Sequence, residues 1–141
     1  MKIRNAESKD VPKISSLLDQ LGYPLNLKTL EDKVVSLLNH PDHVLVVAED
    51  DQVRAVIFIH FVPQLGLTGD FAIINYLSVD PDYRSKGVGK LLEEYCERLA
   101  KERGCERVQL HCSISRADAH RFYERQGYTE SRKYFSKTLP K

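Results

Sequence analysis

The run Leu77-Ser78-Val79-Asp80-Pro81-Asp82-Tyr83-Arg84-Ser85-Lys86-Gly87-Val88-Gly89-Lys90-Leu91-Leu92 decides how this chain is read. Its first residues close an almost unbroken apolar stretch, Phe71 to Val79, and the lack of alternation predicts a central strand covered on both faces. Asp80-Pro81-Asp82 ends that strand. From Val88 the apolar period becomes helical, with Leu91, Leu92, Tyr95 and Leu99 on the predicted buried side and Gly104 suited to the cap. The first turn of a helix has free N–H groups at the positive end of its dipole, and Gly87 and Gly89 let an anion approach them without meeting a Cβ. Arg84, Lys86 and Lys90 add positive charge around that end, so the arrangement suits a pyrophosphate.

Two familiar phosphate loops do not fit. A Walker A loop needs four residues between its first glycine and Gly-Lys-Ser/Thr, and that spacing is absent. A dinucleotide fingerprint needs a third glycine where Leu92 stands, near the first strand of a doubly wound sheet. A turn that uses glycine only for tight packing is the plain alternative, and the flanking Arg84 and Lys86 argue against it.

Working outward, Met1 to Ala6 reads as a first strand, followed by a helix capped at Ser8 with Val11, Ile14, Leu17, Leu18 and Leu21 at helical spacing. Leu30, Val34, Leu37 and Leu38 mark a second helix. Val44–Ala48 and Val53–Phe61, joined by Glu49-Asp50-Asp51-Gln52, read as a hairpin. After the central strand and its helix, Arg107–Cys112 reads as a strand. Ser115 and Asp118 frame a short helix carrying Ala119, Phe122 and Tyr123, and Tyr128–Leu139 is expected to supply one or two last strands. The expected order is β-α-α-β-β-β-α-β-α-β, one α/β domain over 1–141 with a mixed sheet.

Composition narrows the function classes. The chain has 141 residues, 42% hydrophobic and 29% charged, which excludes disordered and fibrous classes. Its 21 Lys+Arg against 20 Asp+Glu give a net charge of +1, so no field gathers nucleic acid or anionic membrane, and neither is an expected partner. Cys96, Cys105 and Cys112 show no C-x-x-C spacing, which argues against a disulfide framework and a zinc site and for a reducing compartment. With no apolar leader or spanning stretch, the expected location is cytoplasmic, and no metal is expected.

The pattern Val79-Asp80-Pro81-x-Tyr83-Arg84-x-x-Gly87-x-Gly89-x-x-Leu92 resembles the acetyl-CoA-binding motif of the GCN5-related N-acetyltransferase (GNAT) superfamily. Ala119-His120-Arg121-Phe122-Tyr123-Glu124-x-x-Gly127-Tyr128 looks like that family's second cofactor-side motif, and the element order is the family's. The segment Arg116-x-Asp118-Ala119-His120-Arg121-Phe122-Tyr123 further resembles a branch containing aminoalkylphosphonate and aminoglycoside acetyltransferases. The resemblance implies a mixed, mostly antiparallel sheet splayed between its fourth and fifth strands and flanked by about four helices. It implies acetyl-CoA as cosubstrate and direct acetyl transfer to a primary amine of a small molecule. Backbone groups of Leu77, Ser78 and Val79 would pair with pantetheine, and an N–H near Leu77 or Ser78 would stabilise the thioester oxyanion. Arg84, Ser85, Lys86, Gly87, Val88, Gly89 and Lys90 would take the pyrophosphate. Tyr123 occupies the general-acid position, and His120 is a further candidate on the cofactor side.

Two departures from the family pattern matter. Many members carry a glutamate near the positions of Asn75 and Tyr76, and this chain has no acid there. An alkylamine with a pKa near 10.4 is neutral less than about one part in a thousand at pH 7, a cost of roughly 4 kcal/mol. Asp70, His60 and His111 are the nearest candidates for a base. The family's asparagine seven residues before the tyrosine is replaced by Arg116, which can hold a phosphate or an anionic substrate group. Competing function classes are an acyl-CoA-binding sensor or interaction module without catalysis, and a protein or aminoacyl-tRNA N-acetyltransferase. Exposed β edges leave pairing in a homodimer open.

Overall fold

The computed structural model describes residues 1–111, 117–131 and 134–140. Residues 1–110 form one compact unit and 111–141 a second. In the first unit, β1 (Lys2–Asn5) leads through a single 3-10 turn (Ser8–Asp10) into α1 (Val11–Gln20), followed by α2 (Leu27–Leu38). The strands β2 (His43–Glu49), β3 (Val53–Val62) and β4 (Phe71–Val79) follow, then α3 (Val88–Glu102) and β5 (Arg107–Leu110). The second unit contains α4 (Ala117–Arg125). The described residues thus hold four α-helices and a five-stranded sheet in the order β1-β2-β3-β4-β5. Neighbours are antiparallel except β4 and β5, which run parallel.

The mixed sheet is as expected. The strands expected after Tyr128 are a correction: the described residues 128–131 and 134–140 contain none. Alternation there is broken by Glu130, Ser131, Ser136 and Lys137, and Tyr134, Phe135 and Leu139 are exposed, so no apolar face exists to pair against.

The sheet carries an apolar cluster on each face. One joins Val46, Ala48, Ala55, Ile57, Ile59, Phe61, Ala72 and Ile74 to Val88, Leu92, Cys96 and Ala100 of α3. The other joins Leu45, Val47 and Val56 to Val11, Ile14 and Leu17 of α1 and Leu30 and Val34 of α2. On β4, Ala72 and Ile74 belong to the first cluster, while Phe71 and Ser78 are buried outside both, so burial along this strand does not alternate. On α3 the stripe runs through 88, 92, 96 and 100, and Leu91, expected inside, is 39% exposed. The first helix start also differs: Asp10, not Ser8, closes it, accepting the Glu7 N–H at 2.8 Å while bonded twice by Arg4.

Phe61 is 2% exposed, and its ring lies 4.1 Å beneath the Arg103 guanidinium. Phe61→Ala is expected to cost about 3–5 kcal/mol through lost burial and the remaining cavity. Val35→Ala, at an exposed position of α2, should stay within about 0.5 kcal/mol. Urea unfolding of both variants checks the difference.

Candidate active site

β4 is regular only to Ile74. Ile59 pairs with Ile74 but Phe58 pairs with Tyr76, so Asn75 is an extra residue, exposed on a bulge. The bulge resets which side chains face α3, from Ala72 and Ile74 before it to Leu77 and Val79 after it. Pairing with β5 ends at the same place, Ile74 opposite Leu110, while β3 follows β4 on to Val79. From Asn75 to Val79 one edge of β4 therefore has no partner strand among the described residues, which is the expected splay. Leu77, Ser78 and Val79 lie on this segment. Ser78 is 4% exposed, and its hydroxyl donates to the Leu17 carbonyl at 2.8 Å, so its side chain ties β4 to α1 and only its backbone serves the open edge.

The turn that follows is held from two sides. The Asp80 N–H donates to the Arg54 carbonyl at 2.7 Å, and the Asp80 carboxylate takes the Asp82 N–H at 3.0 Å and Lys13 Nζ at 3.0 Å. Lys13, with that N–H, holds the Asp80 carboxyl below its ordinary pKa. Tyr83 donates its hydroxyl to Asp50 at 2.7 Å in the β2–β3 turn, while its ring lies 4.3 Å below the Arg54 guanidinium and 4.9 Å from Lys86 Nζ. Arg54 in turn bonds Asp50 and Asp51 at 2.9 and 2.8 Å. The bond from Tyr83 is the main cause of the lowered Asp50 pKa, and the same bond raises that of Tyr83.

Beyond this clasp the backbone turns left-handed at Ser85 (φ 64°) and Gly87 (φ 82°), and Gly87 caps α3 without a side-chain hydrogen bond. The first-turn N–H groups of α3 therefore have no capping side chain from Gly87, an arrangement that could accept an anion. Arg84, Ser85, Lys86 and Lys90 are exposed around them, and Val88 is buried, offering only its backbone. Lys90 approaches Glu94 at 3.9 Å, a loose exposed pair. The clasp was not legible in the sequence, because Asp50 and Arg54 lie some thirty residues from Tyr83 and look like ordinary turn charges.

The sheet face toward α1 and α2 holds another feature absent from the motif reading, a ladder of rings. Tyr23, in the loop between α1 and α2, meets Tyr76 edge-on at 5.3 Å. Tyr76 lies 6.5 Å from Phe58, Phe58 lies 5.6 Å from His43, and His43 lies 4.5 Å from His60. Asp70, a candidate base, immediately precedes β4, five residues before the bulge and about 16 Å away along an extended chain. Its carbonyl accepts the Glu106 N–H at 2.8 Å.

In the second unit, Tyr123 and His120 lie on α4, each half-buried. Tyr123 meets Phe122 at 5.1 Å and Tyr128 at 5.6 Å, and Gly127 ends the segment at φ 94°. His111 is exposed, its ring 4.2 Å from that of Tyr134. Arg116, Cys112 and Ser115 lie outside the described residues. Cys96 is a core thiol, pushed up to about 12 chiefly by burial, and so is no nucleophile at neutral pH.

A family model described as the acetyltransferase (GNAT) family matches residues 11–128. The chain is 29% identical to an aminoalkylphosphonate N-acetyltransferase of Salmonella typhimurium over 140 residues, covering 98% of this chain and 91% of that protein. Among solved structures it resembles glucosamine-6-phosphate N-acetyltransferase from Arabidopsis thaliana, with a TM-score of 0.82, 26% identity and coverage of 99% and 98%. A Bacillus halodurans protein described as a transcriptional regulator shares the fold, with a TM-score of 0.89 at 22% identity over 98% and 99% of the two chains.

A methyl group at Gly87 would meet nothing within 4 Å beyond its chain neighbours, so Gly87→Ala is opposed by backbone conformation, about 1–2 kcal/mol. The variant is expected to lower the unfolding midpoint slightly and to weaken coenzyme A binding at least threefold by calorimetry. Unchanged affinity would mean that the left-handed turn is not part of the anion site.

Proposed function

Because the chain belongs to the acetyltransferase (GNAT) family, whose members are acyltransferases, we propose that it moves an acetyl group from acetyl-CoA to the primary amine of a small molecule. We propose further that the acceptor is an aminoalkylphosphonate or a similar amine carrying an anionic group. The observation that carries the reading is the pairing of an open β4 edge from Asn75 to Val79 with an uncapped, glycine-entered helix directly after it. The first suits an extended amide-bearing arm, and the second a diphosphate. The acceptor class draws support from near full-length similarity to an enzyme named for aminoalkylphosphonates.

The roles follow from the chemistry of each group. Backbone groups of Leu77, Ser78 and Val79 hold the pantetheine arm, and an N–H at Leu77 or Ser78 hydrogen-bonds the thioester carbonyl as negative charge grows on its oxygen. N–H groups from Arg84 to Lys90, with the Arg84, Lys86 and Lys90 charges, hold the pyrophosphate. Tyr123 donates a proton toward the leaving sulfur. A thiol with a pKa of about 8.5 can depart without full protonation, so this donor assists and is not indispensable. His120 contributes on the cofactor side, and Arg116 suits the acceptor's anionic group. Residues 1–141 act together as the acetyltransferase domain.

Thiol release from acetyl-CoA is expected with 2-aminoethylphosphonate, in preference to polyamines, aminoglycosides and peptide N-termini. Tyr123→Phe should slow turnover about ten- to a thousandfold without abolishing it. Tight coenzyme binding with no turnover on any amine would instead favour a non-catalytic acyl-CoA-binding module.

A further inference from the structure

An amine that attacks a thioester must lose a proton, and β4 offers no acid near its bulge to receive it. The neighbouring strands do offer a pair of imidazoles. His60 of β3 stands opposite His43 of β2, and their Nδ1 atoms are 3.0 Å apart with the ring planes within 11°. A nitrogen–nitrogen contact of that length holds one proton, donated by one ring and accepted by the other. Two imidazolium rings would bring two N–H groups head to head, so the pair carries at most one positive charge. If His60 donates through Nδ1, its Nε2 is left as a lone-pair acceptor.

The pair lies one pleat, about 7 Å, along the same sheet face from the row of Phe58 and Tyr76, and about 10 Å along β3 from Ile57, which faces Leu77, so a proton reaches it through intervening water. Both histidines are half-buried and remain reachable from solvent. The groups around them come from several elements. From the segment after α2, His40 meets the His43 ring edge-on at 4.3 Å, its Nδ1 accepting the Asp42 N–H at 3.1 Å. The Asp42 carboxylate is engaged by Arg103 at the end of α3 at 2.8 Å. β4 contributes Ile73 opposite His60 and Tyr76 beyond Phe58, and the α1–α2 loop contributes Tyr23. Neither imidazole is hydrogen-bonded to a carboxylate among the described residues. Burial first, then the neighbouring imidazoles, hold His43 below the ordinary histidine pKa, against a smaller opposite pull from Asp42.

We propose that His60, oriented by His43, is the general base of the reaction, accepting through Nε2 the proton that the attacking nitrogen sheds. This rests on the acetyltransferase reading above. The acceptor enters as the neutral amine. Its nitrogen forms a bond to the acetyl carbon, and one N–H proton passes through intervening water to His60. The carbon–sulfur bond breaks with its electron pair on sulfur, and the thiolate takes a proton from Tyr123 or water. His60 then releases its proton to solvent, and solvent returns one to Tyr123 where Tyr123 gave it. The products are the N-acetyl amide and free coenzyme A, with one proton moved from nitrogen to sulfur overall.

The test is the pH profile of kcat/KM for 2-aminoethylphosphonate, or for whichever amine of the panel is turned over. The unaltered enzyme needs two deprotonations below the pair's titration and one above it, so log kcat/KM should rise with slope two and then slope one. His60→Gln should fall about a hundredfold at neutral pH and show slope one throughout, while calorimetric affinity for coenzyme A is retained. His43→Asn should displace the break without removing it. Histidine ring NMR of the unaltered protein, which needs no variant to fold, should place the His60 titration at the kinetic break. A break that persists in His60→Gln, or a His60 titration elsewhere, overturns the assignment alone. No turnover with any amine overturns the acetyltransferase reading, and the base assignment with it.

Discussion

The structure turns on a single obligation placed on β4. Over four residues, Phe71 to Ile74, this strand must be paired on both edges, and over the next five it must keep β3 and release β5. An unbroken pleat could not do this and keep the same side chains inside, because β5 departs while α3 still needs covering. The extra residue at Asn75 resolves the conflict by shifting the period by one position. Ala72 and Ile74 before it, and Leu77 and Val79 after it, all reach the cluster against α3. The open edge is thus achieved without exposing core. Ser78 supplies the remaining anchor, its hydroxyl bonding the Leu17 carbonyl from a position shielded from water.

The turn after β4 rests on a different kind of force. Asp50, Arg54, Tyr83 and Lys86 sit near the surface, where single ion pairs add little to stability because water and salt screen them. Their worth is in orientation. One hydroxyl bond and two cations against one ring fix Tyr83 to the β2–β3 turn, while Asp80 is fixed to α1 through Lys13. The backbone between Arg84 and Gly87 then has little freedom to fold away from the helix entrance. On the proposed reading, an anion arriving there would meet a backbone already held in place, which lowers the ordering cost of binding.

How much of this is visible in the residues divides along the range of the interactions. Strands at β2 to β4, three of the helices and the glycine turn are written in local periodicity, and the structure has them within a few residues of where the pattern puts them. Gly87 stood out as a residue that lets an anion reach a helix entrance, and the structure adds that its backbone is left-handed there. The bulge at Asn75 left only a faint trace, a polar residue interrupting Phe71–Val79, since a strand buried on both faces lacks the alternation whose break would reveal a shifted register. The clasp on Tyr83 and the rings from Tyr23 to His60 depend on strand order, which no window of sequence contains. The expected C-terminal strands are missing among the described residues for the opposite reason: Tyr134, Phe135 and Leu139 supply β-forming side chains but are exposed.

The missing acid on β4 becomes intelligible once charge is counted on the proposed reading. An acceptor bearing a phosphonate brings negative charge into the cleft together with its amine. A carboxylate placed as base within about 5 Å of that anion would be repelled by roughly 3 kcal/mol at an effective dielectric of 20. A neutral imidazole pair imposes no such cost, because it is uncharged before it takes the proton and positive afterward. Its positive state would then be stabilised by the same anion that a carboxylate would oppose. Histidines on β2 and β3 can serve in place of an acid on β4 because the three strands share one face, and the bulge brings Tyr76 opposite Phe58, beside that pair. The base and the acceptor's charge are, on this view, a matched choice.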